Sequence, residues 1–124
     1  IARKRAMGAR YAAALSGIAG IRLPLDSTAY ADNHYWVYGI VLDEDVPFNA
    51  AEAMRRLGQM GIGTRPFFCP MHQQPVLKNL GLFPNESYPM AEHLSHRGFY
   101  LPSGLGLSTD EQQRVIDAVQ RLLS

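Results

Sequence analysis

Apolar side chains recur at helical spacing from the start of the chain. Four of them follow one another at intervals of four, four and three residues, which places them near one face of a helix. They are Met7, Tyr11, Leu15 and Ile18. Small alanines between them allow close packing, and Gly17 and Gly20 are expected to end the helix. The pattern therefore predicts a helix over residues 1–19.

A run rich in aromatic and β-branched residues occupies positions 35–43. A run of this composition without a polar face is typical of a strand that is covered on both sides. We therefore predict that it forms the central strand of the sheet. Gly39 interrupts the run, and it permits a bulge or a close approach by another backbone.

Two capping boxes, Asn49-Ala-Ala-Glu52 and Ser108-Thr-Asp-Glu111, predict the starts of two further helices. The first of these helices is expected to end at Gly61, in the position after the C-cap. The inward residues are predicted to be Ala53, Met54, Leu57 and Met60 in the first helix, and Val115, Ile116, Val119, Leu122 and Leu123 in the second.

The remaining elements are short. Residues 62–68 should run extended and could pair with the central strand, and residues 98–102 form another strand. A helical turn is expected at 76–80, and a helix over 89–96 begins with a proline. These elements predict a fold of the α/β class (α+β type), with a small antiparallel or mixed sheet of three or four strands and helices packed on it. The connections are too short and irregular for a doubly wound nucleotide fold.

Composition narrows the class of protein. At 124 residues, with 47% hydrophobic and 19% charged residues, the chain is expected to be one ordinary globular domain. The net charge of +1 argues against nucleic acid or an anionic membrane as the main partner, and Arg3-Lys4-Arg5 is interpreted as a solvated helix face. A single cysteine, no membrane-length apolar run and no signal-peptide pattern favour a cytoplasmic location.

The first helix starts without an N-cap residue. The chain opens on Ile1, and three cations follow where the positive end of the helix dipole would lie. A helix that starts unfavourably on both counts is expected to begin further upstream, so we interpret the sequence as a fragment or processed product.

Residues 61–75 combine charge, aromatic faces and an imidazole between three prolines. The prolines make this segment stiff and extended. In one interpretation it is a strand and a structured loop, with Phe67 and Phe68 divided between core and surface. In the other it is the wall of a ligand site, where Arg65 binds an anion and His72 meets a hydroxyl or a proton. The residues alone favour the structural interpretation, because such loops are common.

Other candidate chemistry is weak. Cys69 and His72 lie three apart, as do His93 and His96, but no second cysteine or acidic cluster completes a metal site, so no metal is expected. A Cys-His nucleophilic pair is no better supported. The turn 103–108 has two glycines before a helix without the lysine of a phosphate loop. His34 stands at a strand entrance, where a site residue and a satisfied polar edge are equally good interpretations.

Several separately placed motifs together carry a family resemblance. They are Asn33 to Ile40, Leu57 to Pro75, Tyr88-Pro89-x-Ala91-Glu92-x-Leu94-Ser95-x-x-Gly98, Tyr100 to Leu105, and the closing helix with Val115. In register over nearly the whole chain, they resemble the C-terminal domain of the DegT/DnrJ/EryC1/StrS sugar aminotransferases, and within that family its perosamine synthase branch.

The resemblance implies a pyridoxal-phosphate enzyme of the aspartate aminotransferase fold type, whose small C-terminal domain this chain would be. Such enzymes work as homodimers and transfer an amino group, usually from glutamate, to a keto group on a nucleotide-linked deoxysugar. Their cofactor lysine lies in a large N-terminal domain, which this sequence lacks. The only lysines are Lys4 and Lys78, and neither stands in that context. The fragment alone is therefore expected to be inactive and to bind no pyridoxal phosphate. The alternative is a non-catalytic binding or interaction module derived from that fold.

The resemblance also implies which residues face the substrate. The loop from Arg65 to His72, with Phe67 and Phe68, would face the nucleotide-sugar. Further contacts are expected from His34, Ser103 and Gly104, and no catalytic residue is expected in this chain. Cys69 stands where aromatic or polar residues are more usual, which leaves the sugar preference open. The apolar face that would meet the large domain is expected to favour self-association.

Overall fold

The structure, a computed structural model, describes residues 1–124. Its helices are α1 (Ala2–Leu15), α2 (Ala50–Gln59), α3 (Pro75–Asn79), α4 (Pro89–Arg97) and α5 (Thr109–Leu123). Its strands are β1 (Ile21–Arg22), β2 (Tyr38–Leu42), β3 (Arg65–Pro66) and β4 (Gly98–Leu101), and a 3-10 turn, Met71–Gln73, precedes α3. None of the five helices has the length and apolar character that a membrane-spanning helix needs.

The strands form one antiparallel sheet in the order β1-β2-β4-β3. The predicted α+β fold class is confirmed, with four strands and helices packed on the sheet. The suggested pairing of residues 62–68 with the central strand is wrong, because β1 occupies one edge of β2 and β4 occupies the other. β3 pairs instead with the remaining edge of β4, where Arg65 lies opposite Tyr100.

The two faces of the sheet are covered unequally. The inner face is buried against α1, α2 and α5, and its residues are Tyr38, Ile40, Leu42, Phe99 and Leu101. The outer face carries Gly39, Val41 and Tyr100, which are only half-buried. The expectation of a central strand covered on both sides is therefore only half met, since Phe67 and Leu94 cover part of the outer face.

The central strand begins at Tyr38 rather than at residue 35. Tyr35 adopts a φ of 51°, and its N–H donates to Asn33 Oδ1 at 2.7 Å. The Tyr35 ring lies against Gly8 of α1, where an added Cβ would come within 2.3 Å of the ring. The chain leaves the extended conformation here because the ring turns towards α1 and completes the core.

Helix α1 has the predicted apolar face, but it ends at Leu15 instead of residue 19. Tyr11 and Leu15 are fully buried, and Met7 and Ile18 pack against the same core from half-buried positions. The ending of α2 at Gly61 is confirmed. Gly61 has a φ of 80°, and the N–H of the next residue donates to Leu57 O at 2.9 Å, as in a Schellman motif.

The two predicted capping boxes have different outcomes. In α5 both hydrogen bonds are present, from Glu111 N–H to Ser108 Oγ and from Ser108 N–H to the Glu111 carboxylate. In α2 only the first is present, from Glu52 N–H to Asn49 Oδ1 at 3.0 Å. The Glu52 carboxylate accepts instead from the arginines one turn on, Arg55 and Arg56. Hydrogen bonds from a guanidinium are stronger than one from a neutral amide.

Helix α4 ends on a buried arginine that fixes the turn after β2. Arg97 is 8% exposed, and its guanidinium donates to the backbone carbonyls of Leu42, Asp43, Val46 and Phe48. A buried cation needs partners of this kind to offset its lost hydration. Arg97 thereby joins the 43–48 turn to the helix that lies beside the outer face.

We predict that Glu52→Gln reduces the acid sensitivity of the fold. Hydrogen bonds from Arg55 and Arg56 lower the pKa of Glu52 from 4.5 to about 2. The unfolded chain therefore takes up this proton first as the pH falls. The stability contributed by Glu52 is complete above about pH 4.5 and is lost as the pH falls towards about 2. The thermal midpoint should fall less for the variant than for the wild type across this window. Asp45→Asn, at an exposed carboxylate outside the ion pairs, is the control, and parallel declines for Glu52→Gln and wild type would contradict the prediction.

We also predict opposite effects from removing two buried tyrosine hydroxyls. The Tyr38 hydroxyl is buried without a hydrogen-bond partner, whereas the Tyr11 hydroxyl donates to Pro102 O at 2.7 Å. Tyr38→Phe should leave stability unchanged or raise it by up to about 1 kcal/mol, and Tyr11→Phe should cost about 1 kcal/mol. Urea unfolding measures both. A larger loss for Tyr38→Phe than for Tyr11→Phe is the contrary result.

Candidate functional site

An open groove of about 590 Å³ runs between β3 and the segment that follows β4. It gathers three of the predicted substrate-binding residues, Arg65, Ser103 and Gly104, around Tyr100. Arg65 is exposed, and the ion pairs of the chain engage other arginines, which are Arg5, Arg22, Arg55 and Arg56. The Arg65 guanidinium is therefore free to bind an anionic group in this groove.

Phe67 lies over a gap in the outer face of the sheet. The gap is formed by Gly39 of β2 and Gly98 of β4, which we call the glycine notch. An added Cβ would lie 2.9 Å from the Phe67 ring at Gly39 and 2.4 Å from it at Gly98. The close approach expected at Gly39 is thus made by an aromatic side chain rather than by a backbone. The same ring lies 4.6 Å from that of Tyr100.

Phe68 points away from the sheet and is 75% exposed. Its ring meets Tyr100 edge-on at 6.3 Å between centroids. It lines a second, mainly apolar groove of about 550 Å³ together with Phe67, Met71 and Leu94. Tyr100 lines both grooves, so it joins the polar groove of Arg65 to the apolar groove of Phe68.

His72 lies outside the two grooves and is 7% exposed. Its Nε2 is 2.7 Å from Glu92 Oε1, and its ring is 4.9 Å from that of Tyr88. The Glu92 carboxylate also accepts from Tyr88 N–H, and this bond followed by the one from His72 lowers the pKa of Glu92. Direct contact between His72 and a substrate remains a prediction.

His34 is exposed on the loop before β2 and lines neither groove. Its Nδ1 lies 3.3 Å from the Arg5 guanidinium, which is also 3.8 Å from Asp32. Contact of His34 with a substrate likewise remains a prediction. Of the two histidines with metal-like spacing on α4, His93 lies between Glu44 and Arg22, and His96 is exposed. No group of three or more His, Cys, Asp or Glu could hold a metal ion.

The cations at the start of α1 are not simply solvated, contrary to expectation. Lys4 Nζ donates to Trp36 O at 2.9 Å and to Ser103 O. Arg3 donates to Leu105 O at 2.7 Å. These bonds fasten the segment that follows β4, one wall of the Arg65 groove, to the first turn of α1.

Three residues that shape the two grooves and their surroundings were not predicted as site residues. They are Tyr100, Lys4 and Glu92. Tyr100 could have been found from the alternation along β4, because its neighbours Phe99 and Leu101 are apolar and face the core. Lys4 and Glu92 carry no comparable local signal, since their partners are distant in sequence.

The sequence profile of the DegT/DnrJ/EryC1/StrS aminotransferase family matches residues 1–120. The chain belongs to this family. It is 29% identical over 106 residues to a GDP-perosamine synthase of Vibrio cholerae, covering 85% of this chain and 28% of that enzyme. It is 30% identical over 105 residues to a GDP-perosamine synthase of Caulobacter vibrioides, covering 84% of this chain and 28% of that enzyme. The resemblance to this family and to its perosamine synthase branch is confirmed.

A solved aminotransferase, TlmJ of Streptoalloteichus hindustanus, has the same fold. It superposes with a TM-score of 0.85 at 27% identity, covering 99% of this chain and 31% of TlmJ. The chain thus spans less than a third of the length of these relatives.

Aminotransferases of this family depend on pyridoxal phosphate, which is held through a lysine side chain. Neither lysine of this chain is suited to hold pyridoxal phosphate. Lys4 Nζ is bound by two backbone carbonyls, and Lys78 is exposed on α3, away from both grooves. Neither lysine of this chain is therefore placed to hold the cofactor.

We predict that Gly39→Ala destabilises the chain by about 1–3 kcal/mol, because the new methyl group displaces Phe67. Adding Phe67→Leu should recover part of this loss. It should not rescue Gly98→Ala, whose methyl group would also lie 2.6 Å from Leu94 O. Gly58→Ala, in the last turn of α2 where an added Cβ meets no other atom within 4 Å, is the control and should stabilise by up to about 1 kcal/mol. Urea unfolding measures these variants together with Phe67→Leu alone, and strictly additive effects of Gly39→Ala and Phe67→Leu would show that the two residues do not interact.

Proposed function

We propose that this chain is the small C-terminal, substrate-side domain of a longer pyridoxal-phosphate-dependent aminotransferase. The enzyme transfers an amino group from glutamate to a keto group on a nucleotide-linked deoxysugar. Membership in the sugar aminotransferase family supports the reaction class. Two of the relatives are GDP-perosamine synthases, which supports a nucleotide-sugar as the substrate.

The observation that carries the substrate class is the unpaired Arg65 guanidinium in an open groove beside Ser103 and Gly104. The diphosphate of a nucleotide-sugar carries negative charge on oxygens that a guanidinium can bind in pairs. Ser103 adds a hydroxyl, and the Gly104 backbone is exposed at the same groove. We propose that these three residues hold the diphosphate or the adjoining sugar hydroxyls.

The apolar groove offers a complementary surface. Phe68 is exposed while Phe67 is held in the glycine notch, so the first ring is available to a ligand and the second supports it. We propose that Phe68 and Tyr100 contact the planar base or the apolar face of the sugar. Rings of this kind bind such faces through area burial and stacking.

We assign the cofactor-binding residues to the rest of the longer protein. Because neither Lys4 nor Lys78 fits the cofactor, we propose that this chain alone is inactive and that the cofactor lysine lies outside it. The exposed aromatic side chains of Trp36 and Phe68, 73% and 75% exposed, support a larger assembly such as a homo-oligomer. A cytoplasmic location is part of the same proposal.

A second candidate is a non-catalytic binding module built on the same fold. The lack of a lysine that fits the cofactor favours it as much as it favours the fragment interpretation. The sequence encoded immediately upstream distinguishes the two. A lysine-bearing pyridoxal domain there supports the enzyme, and an unrelated sequence or a replaced lysine supports the module.

We predict that Arg65→Met weakens the binding of a nucleotide-sugar by about 10- to 100-fold, the effect of losing a hydrogen bond to a charged group. The affinity of Arg65→Lys should lie between those of the wild type and Arg65→Met, since lysine keeps the charge but not the paired donors. Arg114→Met, at an exposed arginine on α5, is the matched control. Isothermal titration of the full-length protein with GDP-mannose measures the dissociation constants.

The reaction itself is tested in reverse on the same protein, with GDP-perosamine or another nucleotide-linked amino sugar as donor and 2-oxoglutarate as acceptor. Formation of glutamate is the expected result. If no nucleotide-linked amino sugar yields glutamate, the proposed reaction is wrong. If Arg65→Met and Arg114→Met bind GDP-mannose equally well, the proposed role of Arg65 is wrong.

A further inference from the structure

A buried histidine lies at the end of a largely exposed segment. His72 is 7% exposed, whereas Phe68 and Met71, on the same segment, are 75% and 62% exposed. Only two other polar residues are buried, Gln112 and Arg97, and both donate to backbone carbonyls. His72 is the one whose partner is a carboxylate.

That carboxylate joins three parts of the chain through one oxygen. Glu92 Oε1 accepts from His72 Nε2 at 2.7 Å, from Tyr88 N–H at 3.0 Å and from Ser87 Oγ at 3.4 Å. Glu92 lies in the first turn of α4, while His72 lies in the 3-10 turn that ends the exposed segment. The Tyr88 ring lies 4.9 Å from the imidazole, and its hydroxyl donates to Glu86.

We infer that His72 is a positioning residue for the proposed substrate site and that it acts through Glu92. We call the pair the His72–Glu92 clamp. This inference rests on the proposed function only for the identity of the ligand. The clamp holds one end of residues 67–72 on α4, and Phe67 in the glycine notch holds the other end.

Two anchors on so short a segment leave little freedom to the residues between them. Phe68 lies between the anchors and depends on both for its position against Tyr100. Loss of the clamp should therefore release the aromatic wall of the apolar groove while leaving the Arg65 groove, on the other side of Phe67, in place.

The hydrogen bonds of the 3-10 turn provide a direct readout. The amides of Gln73 and Gln74 donate to Pro70 O at 2.9 Å and to Met71 O at 3.2 Å. We predict that His72→Phe, which keeps a ring but removes the donor, speeds hydrogen exchange at these two amides by about tenfold. His72→Gln places an amide donor near the original Nε2 position and should restore most of the protection. His96→Phe, an exposed histidine on α4, is the control and should leave exchange unchanged.

Ligand binding separates positioning from contact. If the clamp acts as inferred, Glu92→Ala and His72→Phe weaken GDP-mannose binding to a similar extent, the double variant is no worse than either, and His72→Gln binds nearly as the wild type does. If His72 instead touches the ligand, His72→Gln loses binding while Glu92→Ala retains it, and the inference is overturned. Unchanged exchange in His72→Phe would overturn it as well.

The exchange measurement does not depend on the ligand. If wild-type protein binds no GDP-mannose, the substrate part of the proposed function fails, and the exchange rates of His72→Phe and His72→Gln still decide whether the clamp exists. Should Glu92→Ala unfold because its bond to Tyr88 N–H at the start of α4 is lost, His72→Phe, which leaves that bond intact, remains decisive.

Discussion

The packing of the Phe67 ring against Gly39 and Gly98 determines where the candidate site can form. The two central strands lack a Cβ at neighbouring positions on the outer face, and the ring fills the resulting gap. Because Phe67 directly follows β3, its position places the short strand against β4 and sets Arg65 opposite Tyr100. An apolar contact, worth the burial of one aromatic ring, thereby orients a charged side chain and an exposed aromatic wall.

The apolar core and two groups of polar contacts hold the sheet and its neighbouring loops in this arrangement. The inner face of the sheet is a continuous apolar core, which makes the β2–β4 pair rigid. Lys4 fastens the Ser103 segment to α1, and Arg97 fastens the turn after β2 to α4. Both cations donate to backbone carbonyls of these loop segments. The polar contacts thus fix the loops, while the apolar contacts fix the sheet.

Features with a local signal could be predicted from the sequence, and features that depend on distant partners could not. The Ser108 capping box, the end of α2 at Gly61 and the apolar faces of α1 and α5 all depend on residues within a turn or two of each other. The strand with which β3 pairs depends on which edge of the sheet the other strands leave free. That edge cannot be predicted from a short segment of the sequence. Likewise, the exposed position of Arg65 in a groove agrees with its proposed anion-binding role, whereas the burial of His72 against Glu92 depends on a contact twenty residues away. Glu52 departs from its capping box because two arginines compete for its carboxylate.

We propose that residues 65–68 and 100–104 form one wall of a nucleotide-sugar site. The decisive experiment is a crystal structure of the full-length protein bound to GDP-mannose. We expect the diphosphate to lie within hydrogen-bond distance of the Arg65 guanidinium, with Phe68 or Tyr100 against the base or sugar. A nucleotide-sugar bound elsewhere, with Arg65 still facing solvent, would contradict it.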